Sequence, residues 1–169
     1  MKIQSTTANL LLLHFIVLIF GFTGILGKII TIDSEPLVWW RMALALVTIA
    51  IFMKLARIPL SASPRTILTL VFTGAITAAH WIAFFEAIKV STVSVTLACL
   101  STAALFTALI EPIFFKRRIS LAELTMGVII VFGLILIFSF ETHYASGIFL
   151  ALLAALLAAC FTVLNGLFI

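Results

Sequence analysis

Charge is scarce in this sequence. Only 9% of its 169 residues are Asp, Glu, Lys or Arg, against 64% hydrophobic, whereas soluble domains carry about 25% charge and 45–50% apolar residues. The shortage excludes a soluble globular domain, because a chain this short leaves much of its surface outside and so few charges cannot cover it. Cysteine is nearly absent too. Cys99 and Cys160 both lie inside apolar runs, without the spacing of metal ligands or of a disulfide framework, and read as small buried hydrophobes. No segment alternates apolar and polar residues over about ten positions, which excludes the strands of a membrane β-barrel. Glycine loops that cradle phosphate, nucleophile elbows and His-Glu-x-x-His pairs are all missing, and no soluble segment is left to carry a cofactor, so neither an enzyme, a cofactor nor a metal site is expected. The net charge of +4 does not denote a nucleic-acid partner, since the basic residues lie in short gaps between apolar runs and form no stripe interleaved with aromatics.

What the sequence has in quantity is long apolar runs. Crossing ~30 Å of hydrocarbon takes about 20 helical residues, and six stretches qualify: 10–30, 37–56, 67–88, 92–115, 121–140 and 147–169. The gaps hold turn residues, among them Asp33 to Pro36, Pro59, Ser61, Ser63 and Pro64, Lys116 to Ser120, and Glu141 to Ser146. The expected fold is therefore an all-α integral membrane protein, a polytopic bundle of about six transmembrane helices in contact with the lipid bilayer. Lys2 precedes the first run as in a signal peptide, but the run is too long and no small-residue cleavage site follows it. With a cytoplasmic N-terminus, the inner segments hold Lys2, Lys54, Arg57, Arg65, Lys116, Arg117 and Arg118, and the outer gaps only Lys28 and Lys89. That bias orients the chain with its N-terminus in the cytoplasm and places Trp39 and Trp40 at the outer headgroups.

One internal match stands out. Phe22, Thr23 and Gly27 in the first span and Phe161, Thr162 and Gly166 in the sixth share the pattern F-T-x-x-x-G, 139 residues apart. If the sixth span opens a second copy of the first five, the odd number of helices per copy inverts that copy in the membrane, an arrangement common among secondary transporters. On that reading residues 1–140 form a first five-helix repeat, residues 147–169 begin a second, and the chain is expected to be the N-terminal part of a longer transporter.

Glu35-Pro36 followed by Arg41, His80-Trp81 through Phe85, Ala87-Ile88-Lys89, Glu111-Pro112, Gly127 and Gly133 together resemble the EamA-type permeases of the drug/metabolite transporter superfamily. Tyr144, Gly147 and the stretch from Phe161 to Gly166 resemble the start of that family's second repeat. The resemblance implies half of a ten-helix fold of two inverted repeats, which moves small-molecule metabolites across a cytoplasmic (inner or plasma) membrane through a site between the repeats.

An ionisable residue inside a membrane helix costs roughly 2.5–3.5 kcal/mol on insertion scales, so each one is a candidate for function. Arg41 and Glu86 fall at similar depths and could form an outer gate or substrate-anchoring ion pair. Alternatively, Arg41 snorkels to the headgroups and Glu86 pairs with Lys89 on its own helix. His80 shares a helix face with Thr73, Thr77, Ala87 and Ser91, which is expected either to line a cavity, with His80 available for proton coupling, or to hold a neighbouring helix through a neutral imidazole. Trp81 beside it reads more readily as packing than as a binding platform. Glu111, with Thr107 one turn above and Thr96 further along roughly the same face, either meets a substrate amine or pairs with Lys116, Arg117 or Arg118. His14 lies too near its helix end to be a strong candidate, and Gly21, Gly24 and Gly27 are expected to permit close helix approach. The candidate cavity or coupling set is thus Arg41, Thr77, His80, Trp81, Glu86, Thr107 and Glu111. A secondary transporter working by alternating access, with proton or ion coupling open, is the leading reading. A non-transporting membrane scaffold, in which these residues only hold helices together, is the alternative, and a membrane enzyme the third.

Overall fold

A computed structural model describes residues 6–59, 61–138 and 142–167. Lys2, Glu141 and the last residues of two expected spans, 139–140 and 168–169, lie outside the described residues. Hydrocarbon offers no partner to a backbone amide, and a helix satisfies its own. Seven form, with no strand among the described residues: α1 (Thr6–Ile29), α2 (Ser34–Leu55), α3 (Pro64–Val90), α4 (Val93–Leu100), α5 (Ala103–Phe115), α6 (Leu121–Phe138) and α7 (Ala145–Gly166). Among the described residues five stretches are long and apolar enough to span a membrane, α4 and α5 together counting as one, while Leu121–Leu136 in α6 is shorter. The chain is an all-helical, polytopic membrane protein.

Local sequence explains where these helices begin. Ser63 caps α3 by accepting from the backbone N–H of Thr66 at 3.1 Å, and Pro64 occupies the first turn, where its missing N–H costs nothing. Thr92 caps α4 in the same way, accepting from Val95 N–H at 3.1 Å.

The expected span 92–115 is in fact two helices. Ser101 donates its hydroxyl to Ala98 O at 2.6 Å and Thr102 donates to Cys99 O at 2.7 Å. These side chains take up carbonyls that an unbroken helix would have bonded, so the break leaves few unsatisfied groups in the bilayer.

The core lies between α3 and α7, the most extensive interface in the protein. The face of α3 bearing Thr73, His80, Ala87 and Ser91 is buried, and α7 meets it with small residues, of which Ala151, Ala154 and Ala155 are fully buried. Lipid provides no hydrophobic drive between helices, so close backbone approach through small side chains is what holds such a pair. A Cβ on Gly147 would lie 2.5 Å from Ser91 Cβ, and one on Gly27 2.5 Å from the Phe85 ring. Gly24 makes a looser approach, 3.3 Å from Val93, whereas Gly21 faces open space and makes no close approach, contrary to expectation.

Burial is concentrated at one end of the first three helices. Among the described side chains of α1 only Gly24 and Gly27 are buried, and in α2 only Ser34 and Val38. Residues 9–22 of α1 and 44–52 of α2 are exposed on all sides. The three helices are therefore gathered at the end bearing the α1–α2 turn and free of one another at the far end.

Gly147→Ala is expected to lower stability to unfolding in mixed micelles by about 1–3 kcal/mol, because neither Cβ can move without shifting a helix. Gly21→Ala, facing open space, is expected to leave stability unchanged or raise it.

Candidate functional site

Arg41 lies 3.5 residues from the middle of α2, about 5 Å along its axis, and Trp81 four residues from the middle of α3, about 6 Å. Residues at matching depth on adjacent helices can meet, and these two do. The Arg41 guanidinium lies over the Trp81 ring at 3.9 Å and within 5.7 Å of the Phe85 ring. Trp81 and Phe85 stack at 5.7 Å, one turn apart, forming an aromatic floor beneath the cation. Beside them a cavity of about 390 Å³ opens between α1, α2 and α3, lined by Thr23, Gly27, Leu37, Trp40, Arg41 and Phe85 among others. Gly27 has no side chain to fill this space, and the close approach of Phe85 depends on that.

Arg41 and Glu86 form no ion pair. Glu86 lies nine residues from the middle of α3, about 13 Å toward its C-terminal end, well beyond the depth of Arg41. Nor does it pair with Lys89. Glu86 accepts the hydroxyl of Ser34 at 2.6 Å, and Ser34 is buried at the start of α2. Lys89 donates to Ile32 O in the α1–α2 turn. Lys28, at the end of α1, donates to Ile88 O at 2.7 Å, Lys89 O at 3.2 Å and Ser91 O at 2.8 Å. One ammonium thereby satisfies carbonyls left without partners at the end of α3. The two lysines and the Ser34–Glu86 bond tie α1, α2 and α3 together at this end. The sequence carried a signal for Lys28, a cation in a last helical turn, but not for which helix it would serve.

His80 lies against α7, away from the cavity. Its Nδ1 is 2.8 Å from Ala154 O, and since a carbonyl only accepts, Nδ1 carries the hydrogen and donates it. Its ring packs edge-on against Trp81 at 5.0 Å and Phe161 at 5.3 Å. Thr77 returns its hydroxyl to Thr73 O at 2.9 Å and Thr107 to Ala103 O at 2.8 Å. Thr73 Oγ1 is buried with no partner among the described residues. His14, exposed on α1, donates to Leu10 O at 2.7 Å. Glu111 accepts from Arg117 at 2.9 Å, and the same guanidinium reaches Glu123 at 3.1 Å, stapling α5 to α6. Hydrogen bonds to Glu111 first and Glu123 second hold Arg117 above the ordinary arginine range, so its charge is permanent. No cluster of metal-ligating side chains exists among the described residues.

The model of the EamA-like transporter family matches residues 7–139, from α1 through α6 and including every wall of the cavity. No curated protein and no solved structure matches the chain significantly.

Removing His80 takes away an interhelical hydrogen bond and a packed ring together. His80→Ala is expected to destabilise the protein by about 1–3 kcal/mol in reversible unfolding, and an unchanged unfolding curve would show that α7 does not depend on it.

Proposed function

Because the chain belongs to the EamA-like transporter family, a family of membrane permeases of the drug/metabolite type, we propose that it moves small organic solutes across the cytoplasmic membrane by alternating access. The observation that carries this reading is the uneven closure of α1, α2 and α3. Lys28, Lys89 and the Ser34–Glu86 bond draw one end together, a cavity large enough for a small solute lies between that end and the middle of the helices, and the far halves of α1 and α2 are exposed on all sides.

Alternating access needs one end closed while the other is open, and the closed end here is held by a few polar contacts. Such contacts can break and re-form without unpacking α3 from α7. The excess of Lys and Arg at the far end, in Lys54, Arg57, Arg65 and Arg117 with their neighbours, supports placing that end in the cytoplasm. The protein is then inward-open, with residues 1–140 acting as one five-helix repeat and α7 as the first helix of a second, inverted one. Arg41 and Phe85 face the solute, with Trp81 beneath Arg41, while His80, Thr77, Thr107 and Glu111 hold the framework. A membrane scaffold is the competing reading, supported by how many of the polar residues are engaged in helix contacts.

Two measurements test this. Proteoliposomes loaded with a low-molecular-mass metabolite extract are expected to release a subset of its components faster than protein-free liposomes, as followed by mass spectrometry; equal release of all components would favour the scaffold. In intact cells a membrane-impermeant maleimide is expected to label Asp33→Cys and leave Arg57→Cys unlabelled, and the reverse pattern would invert the topology.

A further inference from the structure

We infer that the cavity beside Arg41 binds a small organic monoanion, a carboxylate carried on an apolar body, an inference that rests on the permease reading above. Arg41 is a cation close to mid-membrane, where an uncompensated charge is costly. Both ion pairs among the described residues belong to Arg117, and no described residue hydrogen-bonds Arg41. Its compensation comes from the Trp81 ring at 3.9 Å. A cation over a ring is held through its charge, and with no hydrogen bond to a described residue its five N–H donors stay available. A snorkelling arginine would extend along its helix toward the headgroups; this one lies across α3 instead, on the wall of the cavity.

The chemistry of the ligand follows from that geometry. A planar guanidinium with free edges suits the two oxygens of a carboxylate, which it binds in a bidentate fork. One charge is the limit, since the other cations nearby, Lys28 and Lys89, are committed to backbone carbonyls, and a second anionic charge in this setting would be desolvated without a partner. Leu26, Ile30, Leu37 and Leu44 supply an apolar wall for the rest of the molecule, with Thr23 and Trp40 as the other residues bearing polar atoms.

The probe is phenylacetate, compared by titration calorimetry with its uncharged isostere phenylacetamide, using the full chain in phosphatidylcholine nanodiscs. The acid is expected to bind at least roughly tenfold more tightly than the amide, and Arg41→Gln to abolish the difference. Leu44→Trp, which fills the cavity and leaves Arg41 in place, is expected to block the acid, so the test survives if Arg41→Gln fails to fold. Equal affinity for acid and amide would overturn the inference. So would Arg41-dependent retention of phosphatidylglycerol in native mass spectrometry without phenylacetate binding, which would make the ligand a lipid headgroup. Acid-selective binding with no solute flux would uphold the site and defeat the permease reading, whereas flux without acid selectivity would do the opposite.

Discussion

The packing of α3 against α7 is the contact on which the other arrangements depend. Water drives soluble helices together by burying apolar surface, but lipid tails are as apolar as leucine, so a membrane interface has to be built from close fit. Here Gly147 admits Ser91, and Ala151, Ala154 and Ala155 leave room for the backbone of α3. The His80 bond to Ala154 O then fixes the register of one helix on the other. With α3 held on that face, its opposite sides become the frame for α1 and α2, through Phe85 against Gly27 and Trp81 beneath Arg41.

Polar groups follow the same logic of internal satisfaction. Hydroxyls in the helices mostly return to a carbonyl one turn back, as at Thr48, Thr69, Thr77 and Thr107. Lys28 caps α3, Glu86 accepts from Ser34, and Arg117 joins two carboxylates. Arg41 departs from this pattern, because its partner is an aromatic face and its donors remain free. Engaged charges elsewhere and one open donor set beside a cavity are what support the binding site proposed at Arg41.

The helices were legible in the sequence because a run of about 20 apolar residues has few other uses. Their ends were less so, and small errors there changed the expected partners. α2 begins at Ser34, three residues before the expected 37, which moves Arg41 toward mid-membrane; α3 begins at Pro64, also three residues before the expected 67, which leaves Glu86 nine residues from the middle of its helix. An ion pair that looked level on the sequence is therefore separated by several ångströms in depth, and Trp81 takes the place of Glu86. The polar face of α3 was visible in the spacing of Thr73, His80 and Ser91, but no spacing says whether such a face meets a cavity or a helix of alanines. The break at Ser101 and Thr102 was hidden for a related reason, since two small hydroxyl residues in an apolar run are common within continuous helices.

A rigid α3–α7 pair with α1 and α2 free at their far ends is the central claim, and electron–electron distance measurements in bilayers test it most directly. With Cys99 and Cys160 replaced by alanine, one spin-label pair is placed at Ala79 and Leu156 and another at Leu13 and Ile51. A single narrow distance for the first pair and a broad or two-peaked distribution for the second is the expected result. A narrow distribution for the second pair, or a broad one for the first, would contradict it.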